Sequence, residues 1–112
     1  MKPRVLTLVA LCAVALAVTG GAVVANAAGG KTVTLRDIAF SPKKLSIKPN
    51  TTVTFAFRDD TTSHNVISKG AKRFKNVGVK SSGSVSRKFT AAGTYRYVCS
   101  LHPGMSGQIT VR

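Results

Sequence analysis

From residue 31 onward the chain alternates polar and apolar side chains in short runs, which is the period of a half-buried strand. Lys31-Thr32-Val33-Thr34-Leu35-Arg36 puts Val33 and Leu35 on one face. The alternation slips by one at Asp37, giving Ile38 and Phe40 the apolar positions; a bulge or bend is expected there. Ser41-Pro42 signals a turn, Leu45 and Ile47 alternate again, and Lys48-Pro49-Asn50-Thr51 signals a second turn. Thr52 to Arg58 is rich in β-branched and aromatic residues, and Val53, Phe55 and Phe57 share the face that should enter the core. Asp59 to Ser63 reads as a loop delivering His64-Asn65-Val66-Ile67, a short strand or strand end. Between Ser68 and Gly83 the composition is Gly-, Ser- and Lys-rich around the apolar anchors Phe74, Val77 and Val79, so local structure is weakly specified. Val85 and Phe89, Tyr95 and Tyr97, then Ile109 and Val111 carry period two to the end. Seven or eight short strands without helical periodicity predict an all-β fold, an antiparallel β-sandwich.

The first quarter breaks this pattern. Met1-Lys2-Pro3-Arg4 is a positive start, Val5 to Val18 is apolar apart from Thr7, and Ala25-Asn26-Ala27 has the form of a cleavage site. These features predict a signal peptide over 1–27 and a single domain over 28–112, exported to the periplasm, cell surface or exterior. The alternative is a retained anchor, since the segment from Val5 to Ala28 is long enough to span a bilayer. Cys12 lies inside the apolar run after Leu11, where a lipidated cysteine would need a small residue before it.

Charge adds a second expectation. Once Lys2 and Arg4 leave with the leader, fifteen basic side chains face Asp37, Asp59 and Asp60, a net charge of +12. This excess favours an acidic protein partner or an anionic cell surface over nucleic acid, or else keeps a small monomer soluble.

Only four soft or borderline ligands remain in the mature chain: His64, Cys99, His102 and Met105. With a single cysteine no internal disulfide forms, and an unpaired thiol in an exported protein points to a reactive or ligating role. Two imidazoles, a thiolate and a weakly bound thioether make a donor set that serves copper in both Cu(I) and Cu(II). Each residue alone is unremarkable as a buried thiol, a turn residue or a core filler; together they account for every soft ligand of the domain. Zinc would use the cysteine and histidines but gain little from Met105. Four protein donors leave no open position for a substrate, and three Asp with no Glu make acid–base catalysis thin. An enzyme is therefore not expected.

Phe40-Ser41-Pro42, His64-Asn65-Val66, Ala92-Gly93-Thr94-Tyr95 and Cys99 to Met105 together resemble the cupredoxins, the small blue copper proteins of the plastocyanin, amicyanin and pseudoazurin type. The resemblance covers essentially Lys31 to Arg112 and implies a Greek-key sandwich holding one type 1 copper ion. It implies His64, Cys99 and His102 as the trigonal ligands and Met105 as the long axial one. Asn65 would tie the His64 segment to the Cys99 loop, and Tyr95 would form a structural tyrosine corner. The implied function is one-electron transfer between redox partners, with the edge of His102 as exit; copper binding or delivery is the alternative, though its Met or His tracts are missing. Val98 stands where photosynthetic plastocyanins carry a tyrosine before the cysteine, and no acidic patch accompanies it.

Overall fold

Period-two alternation becomes nine strands in a computed structural model that describes residues 30–112. The leader expected over 1–27 lies outside the described residues. The strands are β1 (Lys31–Arg36), β2 (Ala39–Ser41), β3 (Lys44–Ile47), β4 (Thr51–Arg58), β5 (His64–Lys69), β6 (Val77–Lys80), β7 (Ser82–Phe89), β8 (Gly93–Val98) and β9 (Ser106–Val111). They form two sheets, ordered β2-β1-β4-β7 and β3-β9-β8-β5-β6. The all-β sandwich is as expected, with two refinements. Nine strands replace seven or eight, because β2 is only three residues long and β6 buries only Val77. Two pairs, β1 with β4 and β3 with β9, run parallel. Between β1 and β4 the chain crosses to the second sheet to lay down β3, so it returns in the direction it left.

The slip at Asp37 is a hairpin turn rather than a bulge. Arg36 pairs with Ala39, and Asp37 and Ile38 both have positive φ, 54° and 57°, as a two-residue type I′ turn requires. Ile38 therefore sits at the turn tip, 51% exposed, instead of in the core. Phe40 is buried as expected.

The inner faces of the two sheets meet in one core. Val33, Leu35, Val53, Phe55, Phe57 and Phe89 come from the first sheet; Ile47, Val66, Tyr95, Tyr97, Ile109 and Val111 come from the second. Each such side chain contributes roughly 1.5–3 kcal/mol by leaving water. Tyr97 lies at the centre, edge-on to Phe40 at 4.8 Å and to Phe55 at 5.5 Å between ring centroids. Its ring crosses Gly107, its register partner on β9, so closely that a Cβ there would lie 2.5 Å from a ring carbon.

The segment after Ser68 is better specified than its composition suggests. Buried Ser68 donates its N–H to Asn76 Oδ1 at 2.8 Å and accepts the Phe74 N–H on its hydroxyl at 3.0 Å. Arg87 donates to the carbonyls of Lys75 and Asn76, each at 2.9 Å. These bonds seat Phe74 against Phe55, Phe89, Tyr95 and Tyr97. Val79, expected as an anchor, is 58% exposed.

Candidate metal centre

The centre lies at one end of the second sheet, where β5 begins and the β8–β9 connection turns. Because Tyr95 and Tyr97 point inward on β8, Cys99 two residues on also points inward, and it is 3% exposed. The ladder continues one step past the strands, since the Cys99 N–H donates to the Met105 carbonyl at 2.9 Å. Inside that closure, the Met105 N–H donates to the His102 carbonyl at 3.2 Å, and Gly104 has φ 86°. Proline then glycine at the two central positions is the chemistry of a type II turn. The turn thus sets the spacing of His102 and Met105.

His64 opens β5 and is 1% exposed. Its Nδ1 stands 3.9 Å from Cys99 Sγ, and His102 Nδ1 stands 3.5 Å from the same sulfur. The ligand atoms of these three residues all lie within 4.8 Å of one another. A single ion at about 2.0 Å from nitrogen and 2.3 Å from sulfur separates such donors by roughly 3.5–3.7 Å. The residues therefore fit one metal ion, and the soft sulfur with two imidazoles suits copper. Met105 is buried at the foot of the same loop.

Supporting contacts hold this arrangement. Asn65 donates Nδ2 to Ser100 Oγ and accepts the Ser100 N–H on Oδ1, both at 2.8 Å. One buried amide thereby fastens the start of the loop to β5. Tyr95 donates its hydroxyl to the Ala91 carbonyl at 2.7 Å, the geometry of a tyrosine corner.

Sequence reasoning missed Asp59. Its carboxylate Oδ2 lies 3.1 Å from His64 Nε2. An ionised carboxylate can only accept, so Nε2 carries the proton and Nδ1 keeps its lone pair facing the sulfur. A lone aspartate in a loop five residues before a histidine carries no periodicity that would have revealed this contact.

A β-sandwich with a cysteine between two histidines at one end defines the class, and the chain belongs to the cupredoxin family: a cupredoxin-like domain model matches residues 6–111. Among its relatives is amicyanin-alpha of Methylorubrum extorquens strain AM1, 32% identical over 88 residues, spanning 75% of this chain and 73% of the relative. A solved proline-to-glycine variant of amicyanin, in its reduced Cu(I) form at pH 4, superposes with a TM-score of 0.67. It is 30% identical and covers 75% of this chain and 83% of that one. The Cu-containing nitrite reductase of Thermus scotoductus gives a TM-score of 0.64 at 29% identity; the match covers 74% of this chain but only 22% of the reductase.

Proposed function

We propose that this protein is an exported type 1 copper protein that carries single electrons between redox partners. His64, Cys99 and His102 are assigned as the trigonal ligands, Met105 as the axial one. The observation that carries this reading is the pair of Nδ1 atoms at 3.5 and 3.9 Å from one buried sulfur. Copper bound there supplies a one-electron couple, Cu(I) to Cu(II). The chain's own residues do the rest. Asp59 fixes the His64 tautomer, Asn65 and the Pro103-Gly104 turn fix the loop, and the core keeps water from Cys99. Because the ligands are held by the scaffold, both oxidation states meet nearly the same donors, which keeps rearrangement on electron transfer small. His102 is only half-buried, and the neighbouring Leu101 is 46% exposed, so the His102 edge is the natural point of exchange.

A carrier is favoured over an enzyme because four protein donors close the site and the likeness to nitrite reductase reaches only 22% of that enzyme. Export rests on the leader-like 1–27 segment. Copper delivery as the main role lacks supporting methionine or histidine tracts.

The test is to add Cu(II) to the purified protein and record its visible and electron paramagnetic resonance spectra. The expected result is an intense blue thiolate-to-copper band, bleached on reduction, with narrow copper hyperfine splitting. Cys99→Ser should lose the band while retaining some metal; a pale tetragonal spectrum from the unaltered protein would overturn the assignment.

A further inference from the structure

The outer face of the five-stranded sheet carries an ordered row of charge. The register aligns Lys44 with Gln108, Gln108 with Arg96, and Arg96 with Lys69, across β3, β9, β8 and β5. Lys44, Arg96 and Lys69 are all exposed. Arg96 and Lys69 are directly opposed, and like charges so placed destabilise a strand pair. A sheet that carries this cost gains it back when an anion lies across the row.

A surface groove of about 360 Å³ runs over the row, and Lys43 adds a further cation to its wall. The acids lie elsewhere. Asp37 is in the β1–β2 turn, and Asp59 and Asp60 are in the loop before His64; among the described residues no lysine or arginine pairs with an acid, and Asp59 is engaged by His64. Toward the metal end, Val98 and Ser106 also line the groove. Val98 directly precedes Cys99 and Ser106 directly follows Met105, so the floor of the groove is covalently continuous with the proposed ligands.

We propose that this face is the docking surface for an acidic segment of the redox partner, a second contact region beside the His102 edge. The inference rests on the electron-carrier reading for the partner's redox role, while the binding surface itself does not depend on a bound metal. Four strands spaced about 4.8 Å apart spread the row over roughly 14 Å. An extended acidic segment with carboxylates at alternate positions presents three of them over about 13 Å. The two patterns match in length as well as in sign. Carboxylates seated on the row bring the partner to within three residues of Cys99 along β8, so one electron passes between the site and the partner's acceptor with no other group transferred.

The experiment uses the protein purified after expression of the whole chain, without added metal, and short poly-L-glutamate as the probe, with nuclear magnetic resonance shifts and affinity as readouts. Shifts should concentrate at Lys44, Lys69, Arg96 and Gln108. The triple variant Lys44→Gln, Lys69→Gln, Arg96→Gln should weaken binding about tenfold, whereas Lys31→Gln, Arg36→Gln, Lys88→Gln on the other sheet should stay within about twofold. Equal losses from the two variants, or shifts spread over the surface, would overturn the proposal by reducing it to net charge. Tighter binding of single-stranded DNA or of phosphatidylglycerol vesicles at the same row would overturn the choice of a carboxylate partner. Recording the blue band of the unaltered protein and of the first triple variant separates the two readings: a normal band in the variant with lost binding leaves the copper site standing, and binding at the row by the unaltered protein without any band leaves the docking face standing.

Discussion

Among single residues, the buried Tyr97 hydroxyl and the partly buried Asp59 carboxylate have opposite meanings. The Tyr97 hydroxyl is buried without a hydrogen-bond partner among the described residues, and burial pushes its pKa well above the ordinary phenol value of 10.0, since the phenolate would be stripped of water. Removing an unpaired buried hydroxyl relieves its desolvation cost, so Tyr97→Phe should stabilise the fold by about 1 kcal/mol in urea unfolding. The sign of the pH effect follows from the same shift. Above pH 10 the unfolded chain loses the phenol proton and the folded one keeps it, so stability present below that pH falls as pH rises, by about 1.4 kcal/mol per unit for this group. Tyr97→Phe should flatten that alkaline slope relative to the unaltered protein. Asp59 is the contrasting case: its carboxylate is engaged, and its charge sits one imidazole away from the donors of the centre. Asparagine keeps an acceptor for Nε2–H but removes the charge. Asp59→Asn should therefore raise the reduction potential of the copper-loaded protein, by about 1 kcal/mol of redox free energy after allowing for partial exposure. An unchanged potential would reduce Asp59 to a geometric prop.

At the scale of elements, the turns decide where functional side chains arrive. Pro103-Gly104 converts a three-residue spacing into a tight reversal whose ends are tied by the Met105-to-His102 bond. The sequence signal was legible because proline and glycine each have one strong backbone preference. The β1–β2 turn was misread for the opposite reason. Isoleucine disfavours positive φ, yet Ile38 is held at 57° because the pairing of Arg36 with Ala39 leaves only two residues to reverse the chain. Tertiary pairing overrode local preference there. Ile38→Gly should consequently stabilise the protein, by about 1 kcal/mol in thermal or urea unfolding, by relieving the strained φ and an exposed apolar side chain. The segment leading into β6 was illegible for a third reason: Ser68, Asn76 and Arg87 specify it through hydrogen bonds that span 8 to 12 residues and follow no period.

At the scale of the whole molecule, a small sandwich without a disulfide has little stability to spare, and a metal that binds only the folded state adds to it. At a thousandfold excess over Kd, copper contributes about 4 kcal/mol, and for a domain of this size that corresponds to a rise of roughly 15–30 °C in Tm. Calorimetry with and without copper should show that rise, a chelator should reverse it, and Cys99→Ser should shrink it. The same architecture separates two surfaces: the half-exposed His102 edge at one end, and the cationic outer sheet face beside it.

The strands of the core and the proposed donors His64, Cys99, His102 and Met105 were legible from the chain alone, because alternation, turn chemistry and scarce residue types are local or countable. Only the tertiary structure decided that Asp59 orients His64, that two strand pairs run parallel, that Ile38 stands outside the core, and that Lys44, Arg96 and Lys69 line up across four strands. The parallel pairs and the cationic row depend on register between segments distant in the chain, which is set by how the two sheets close over their shared core; the Asp59 contact and the Ile38 tip depend on the conformation of a loop and a turn that no residue pattern announces.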